Sequence, residues 1–312
     1  MKILFFGAGV IGSVFAARIA MSGHEVTVLD REDRLEEIKE YGIIIENGIT
    51  GKRDTARVKT VNHLGPEDYY DLAVVPVRSD HLPAILPVLA ANRVIPDILI
   101  MVNNPKGPHA IIDALGPKRF LLGFPGRGGG RKGPVVIYEI SKPVIQRTTV
   151  GELGGKMSKR VKRISALIKG AGFPVTIESN MDAWQKTHVC WVSPFANAIY
   201  MAGGTNYQLA QRLDIIRLFL RATQEGFSAL KHMKVPVTPW KFRFLNWLPE
   251  LLLVKVFQRV CSSKEIEILA TLHCQNAPNE MKELAQDLRT MVEATPVSAP
   301  AMELLAGYIP DI

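Results

Sequence analysis

The sequence predicts the α/β class: an N-terminal doubly wound parallel sheet over residues 1–179 and an all-helical C-terminal domain over residues 180–312. Three observations predict it. A short apolar strand at the N-terminus runs into a G-x-G-x-x-G turn and then into a helical pattern. Strand-like and helix-like runs alternate as far as Ile177, as a parallel sheet with crossover helices requires. From Met181 onward strand signals nearly vanish and long helical periodicities take over. A chain of 312 residues is long enough for two domains, each with its own core.

Residues 2–6, KILFF, read as a buried strand, and Gly7, Gly9 and Gly12 follow in GAGVIG. The first glycine permits the tight turn, the second lets the backbone approach a pyrophosphate, and the third packs helix on strand. The helix opening at Val10 and Ile11 offers unpaired N–H groups and a positive dipole end to phosphates. This is the Rossmann-type dinucleotide fingerprint. The second strand, EVTVLD, ends where cofactor preference is read, and two readings compete there. Asp30 suits the ribose hydroxyls of NAD, while Arg31, helped by Arg34, suits the extra phosphate of NADP. Further strands are expected at Asp71–Val77 and Ile98–Val102, with a helix over SDHLPAILPVLA between them. Arg78 and Asn103 fall at strand ends that face the ligand crevice of such sheets, so both are site candidates. Residues 118–150 read as two strands around a glycine-rich basic loop. A basic helix from about Lys156 to Lys169 and a strand near Pro174–Ile177 close the domain.

In the C-terminal half, helical patterns cover 181–202, 208–232, 240–258 and 264–293, and Pro194 lies inside the first. Within "DAWQKTHVCWVSPFAN" a lysine stands in an apolar helix, with no acid after Asp182 to pair with it. Lys186, Cys190, Ser193 and Asn197 fall at i, i+4, i+7 and i+11, on one helix face. An ammonium, a hydroxyl and an amide in a row suit a cavity that receives a carbonyl and a carboxylate. Such a lysine would face the cleft between the domains and protonate the alkoxide formed as hydride reaches a ketone carbon. The competing reading is a lysine that snorkels to water.

Composition narrows the alternatives. With 47% hydrophobic and 22% charged residues the chain reads as soluble and globular, and no apolar run suits a membrane span. The formal charge of +8 is spread along the chain without a nucleic-acid-binding motif, which favours small anions over nucleic acid. Three cysteines and seven scattered histidines suggest neither a metal site nor a disulfide framework. The N-terminus begins at once with a strand and has no signal-peptide layout, so a cytoplasmic location is expected.

Together, GAGVIG, HEVTVLDR with Arg31, VVPVR ending at Arg78, ILIMVNN carrying Asn103, and WQK with Lys186 resemble the motifs of the ketopantoate reductase family (2-dehydropantoate 2-reductase), in family order. The resemblance covers nearly the whole chain. It implies NADPH-dependent reduction of ketopantoate to D-pantoate, with NADP as cofactor (NAD as the other option). It also implies Lys186 as general acid, Asn103 near substrate or nicotinamide, Arg31 toward the 2′-phosphate, and a small-molecule 2-oxo acid as substrate. A homodimer is an option. The departures are specific. Cys190 and Pro194 stand where family asparagines follow the lysine, Asn103-Asn104 replaces N-G, and Asp30 replaces a small neutral residue. The family's substrate-binding glutamate falls by counting near Gln275 or Asn276, and Glu280 one turn on is the substitute. Alternative readings are an opine-type or other 2-oxo/imino-acid dehydrogenase, or a nucleotide-binding regulator that has lost catalysis.

Overall fold

The structure, a computed structural model, describes residues 1–143 and 146–310, the side chains of Glu32 and Asn246 aside. Its contacts divide the chain into two compact units: Met1–Val102 with Pro108–Met181, and Asn103–Gly107 with Asp182–Ile312.

The first unit opens with β1 (Lys2–Phe6), α1 (Val10–Met21), β2 (Glu25–Leu29) and α2 (Glu32–Tyr41). A run of short strands follows: β3 (Ile43–Asn47), β4 (Arg53–Ala56) and β5 (Lys59–Val61). Next come β6 (Leu72–Val75), α3 (Leu82–Ala91), β7 (Ile98–Ile100), α4 (His109–Leu115) and β8 (Phe120–Phe124). The unit closes with β9 (Arg127–Lys132), β10 (Val135–Ile140), β11 (Thr148–Gly151), α5 (Lys159–Gly170) and β12 (Val175–Ile177). The main sheet has the order β5-β2-β1-β6-β7-β8-β11-β12. Every neighbouring pair in it is parallel except β8 with β11. The chain winds outward from β1 in both directions, so the switch point lies between β1 and β6, where open α/β sheets bind ligands. The central strands β1, β6, β7 and β8 are largely apolar because both faces are covered, as in β6, where all four residues are buried.

A second sheet, β4-β3-β10-β9, packs on α1. The helix is therefore apolar nearly all round, with Val14, Phe15, Ala16, Ala17 and Ile19 buried. This sheet corrects one expectation. The glycine-rich stretch 128–130 is not a loop but the middle of β9, and the turn falls at Gly133 instead. Glycine is needed there because the strand lies close to its neighbours. A Cβ on Gly129 would stand 2.2 Å from the Ile137 carbonyl oxygen and 3.1 Å from Val10 Cγ1.

The second unit is helical: α6 (Met181–Met201), α7 (Asn206–Ala210), α8 (Leu213–His232), α9 (Glu250–Cys261), α10 (Lys264–Ile266), α11 (Leu272–Asn276), α12 (Pro278–Glu293) and α13 (Pro300–Ala306). The pattern expected over 240–258 divides at Pro249 into a 3₁₀ segment (Trp240–Asn246) and α9. The pattern over 264–293 is interrupted by a π-helical turn (Glu267–Thr271) and again at Pro278, which takes the first position of α12. The core is built on α6 and α8, where Phe219, Ile216, Leu220 and Leu230 are fully buried against Val189 and Ile199. Among the described residues no helix is long and apolar enough to cross a membrane.

Candidate active site

In the first unit the site residues are set by backbone geometry. Gly7 adopts φ +107°, which L side chains avoid, and its N–H bonds to Leu29 O at 2.8 Å. A Cβ on Gly12 would lie 2.0 Å from Gly7 O, so only glycine lets α1 close on β1. A Cβ on Gly9 meets no protein atom within 4 Å. The space beside Gly9 is left open by the protein itself, at the N-cap of a helix that no side chain caps. Val10 and Ile11, half-buried, form the first turn with their N–H groups toward that end. Such a cradle fits a pyrophosphate.

Asp30 reaches back to this loop. Its Oδ2 accepts from Ala8 N at 2.5 Å and its Oδ1 from Arg31 N at 2.7 Å. Arg31 itself is exposed, with no ion pair among the described residues. Arg34 is committed elsewhere: buried, it donates to Ala8 O and Ser13 Oγ and pairs with Glu37. It is therefore a brace for the loop and not the helper of Arg31 that the sequence suggested. Arg78 pairs with Asp80 at 2.8 Å, and Val77 before it touches the Gly7 position.

Sequence reasoning missed Arg127, taking it for part of a basic loop. Its guanidinium lies 4.6 Å from the Phe15 ring centre and 5.8 Å from that of Phe173, and donates to Ile11 O and Val10 O. Burial pulls its pKa down to about 9. It fastens the first turn of α1 to β9 by cation–π and hydrogen-bond contacts.

In the second unit, Asn103 and Glu280 meet although 177 residues separate them: Asn103 Nδ2 donates to Glu280 Oε1 at 2.9 Å. Glu280 is only 3% exposed. Its Oε2 and Asn103 Oδ1 are buried without a hydrogen-bond partner, His273 Nε2 standing 3.4 Å from the former. Gln275 and Asn276, suggested by counting, turn away to Gly204 O and Leu272 O. Glu280 is thus the residue that pairs with Asn103. Ser193 Oγ and Asn197 Oδ1 are likewise buried without a partner on α6. Buried polar atoms of this kind are costly unless something completes them. Cys190 does not join them: it packs against Gly226 of α8, inside the core.

Lys186 is not on the outer surface; its side chain is 14% exposed, and its Nζ pairs with Asp182 one turn earlier. The expectation of a lysine without an acidic neighbour is corrected here. The acid lies at i−4, an ordinary helical pairing distance. His188, stacked on Trp184 at 5.1 Å, is buried and neutral, its pKa pulled down to about 3 by burial and by the nearby charges of His273 and Lys241. The three cysteines are buried and free, and no cluster among the described residues could hold a metal.

Residues 3–155 match the family model described as Ketopantoate reductase PanE/ApbA. The 2-dehydropantoate 2-reductase of Pyrococcus abyssi is 24% identical over 215 residues, covering 68% of this chain and 66% of its own length. That of Mesorhizobium japonicum is 26% identical over 216 residues, covering 60% of this chain and 63% of its own. The match thus spans just under two thirds of the length of these curated relatives. The fold is shared over 99% of this chain, and 97% of the other, with a D-mandelate dehydrogenase solved with NADH and anilino(oxo)acetate, at TM-score 0.79 and 17% identity.

Proposed function

Through residues 3–155 this chain belongs to the ketopantoate reductase family, and on that premise we propose that it reduces a 2-oxo acid with a nicotinamide cofactor, Lys186 being the proton donor. The observation that carries the reading is the Asn103–Glu280 pair, with Asn103 Oδ1 and Glu280 Oε2 buried without a hydrogen bond and His273 Nε2 3.4 Å from the latter, in the same helical unit as a half-buried lysine.

The cofactor would rest its pyrophosphate on the open side of Gly9 and the first turn of α1. When bound, its dihydronicotinamide supplies the hydride. Residues of this chain do the rest. Lys186 gives its proton to the oxygen of the carbonyl as that oxygen becomes an alkoxide, and regains one from solvent, to which its partner Asp182 is 39% exposed. Asn103 and Glu280 hold the substrate's polar groups, and Ser193 and Asn197 are further candidates. Arg31 would take the 2′-phosphate of NADPH, and Arg78 lies beside the loop. Asp30, facing the same loop, favours a 2′-hydroxyl, so NADH is the competing cofactor. Ketopantoate is the substrate the family suggests. A 2-oxo acid of another type is the second reading, favoured by Cys190 and Pro194 in place of the expected asparagines. The test follows oxidation of NADPH and NADH with a panel of 2-oxo acids that includes ketopantoate and phenylglyoxylate. Turnover with at least one is expected; none with either cofactor refutes the proposal.

A further inference from the structure

The main sheet ends at β12, and the outer edge of that strand is bare. Thr148 N donates to Pro174 O at 2.8 Å, and Glu178 N to Val150 O at 2.9 Å. In a parallel ladder this register turns the peptide groups of Pro174, Thr176 and Glu178 toward β11. The N–H and C=O groups of Val175 and Ile177 therefore point away from the sheet. Among the described residues no strand, loop or side chain takes them. Such an edge pairs with another extended chain unless charge, proline or a covering segment blunts it. Val175, Thr176 and Ile177 supply neither charge nor proline. The strand is short, but its two outward residues still offer two donors and two acceptors.

Beside this edge lies a groove of about 670 Å³, floored by Met157, Phe173, Val175 and Ile177. Met157 is 57% exposed there. An extended chain laid along β12 would set every second side chain into the groove, because alternate residues of a strand share a face. Charge identifies that chain. Arg147 and Lys169 line the groove and are exposed, and Lys162 stands on the same stripe of α5 as Lys169. None of these three cations has an ion-pair partner among the described residues, whereas Arg160 and Arg163 of the same helix are held by Glu152 and Asp97. Glu178, the acid that follows the strand, turns its carboxylate to Asn180 N at 2.9 Å. Unpaired cations over an apolar floor suit a segment in which carboxylates alternate with apolar residues. A nucleic-acid strand would answer the charge but has no peptide groups for the edge. We propose that β12 and its groove are a docking edge for an extended acidic segment of a partner protein, which joins the eight-stranded sheet as a further strand.

The probe is a fluorescein-labelled heptapeptide of alternating glutamate and valine, followed by fluorescence anisotropy on the full chain. The wild type should bind it, less tightly as salt is added. Hydrogen exchange at the Val175 and Ile177 amides should slow when the peptide is present. The double variant Arg147→Glu, Lys169→Glu changes two exposed side chains, so it should keep its thermal midpoint and bind at least ~10-fold more weakly. Ile177→Pro removes one outward N–H without touching the bonds to β11 and should bind ~5-fold more weakly. Should it misfold, the exchange measurement on the wild type tests the edge instead. A wild type that does not bind the peptide overturns the proposal. So do a double variant that binds as tightly as the wild type and bound peptide that leaves the Val175 and Ile177 amides unprotected. Equal or tighter binding of the lysine–valine counterpart or of oligo-dT overturns it as well.

Discussion

At the scale of single residues, His188 gives the clearest test of burial. Folding holds its imidazole neutral at a pKa of about 3, against about 6.5 in an unfolded chain. Above pH 6.5 this contribution to stability is fully present. As pH falls from 6.5 toward 3 the unfolded chain binds the proton first, and the contribution is lost at up to ~1.4 kcal/mol per pH unit. Urea denaturation at pH 7 and pH 5 should show the wild type losing about 2 kcal/mol more than His188→Gln. Equal losses would mean that His188 does not titrate with folding. Glu280 is tested by size and charge. Glu280→Ala leaves half-buried Asn103 with neither side-chain group paired, and should cost ~1–3 kcal/mol. Glu280→Gln can still accept from Asn103 and should cost less. If the two variants melt alike, the pair does not support the fold. Of these residues the sequence exposed the lysine and its helix face, because period 3.6 is local information. It could not expose the Asn103–Glu280 contact, which tertiary folding makes across 177 positions. Asp182 is legible at i−4, where helix geometry places it on the same face as Lys186.

At the scale of elements, the glycine turn and α1 divide two roles that one motif combines. Gly12→Ala puts a Cβ at 2.0 Å from Gly7 O, so it should destabilise the fold. Gly9→Val meets only open space in the protein. It should leave the thermal midpoint nearly unchanged and abolish nucleotide binding by calorimetry. A Gly9→Val variant that binds as tightly as the wild type would exclude the loop as the phosphate cradle. The strand–turn–helix start was legible since each glycine has its own steric reason. β9 was not. Three glycines in a row normally mark a loop, and only the approach of Ile137 and Val10 makes them a strand. The short strands between Ile43 and Val61 also escaped the reading, since β4 and β5 hold few apolar residues and the partner of β3, β10, lies far along the chain.

For the molecule as a whole, the fold class, a doubly wound largely parallel sheet followed by a helical part, followed from alternation and its end near Met181. The cofactor and substrate are matters of a few side chains on that frame. Arg31→Ala should weaken NADPH by roughly 1.5–3 kcal/mol and leave NADH unchanged, the effect of one lost charge-assisted contact. Asp30→Ala should shift preference further toward NADPH. Equal loss for both cofactors in Arg31→Ala would remove the phosphate role. Under the proposed function Lys186 is the proton donor, and Lys186→Met keeps its bulk while removing the proton. The decisive measurement is kcat of Lys186→Met against the wild type, with the best 2-oxo acid and with cofactor binding verified by calorimetry. A fall of ~10²- to 10⁴-fold with cofactor affinity retained is expected; a variant that turns over at nearly the wild-type rate would exclude Lys186 as the proton donor.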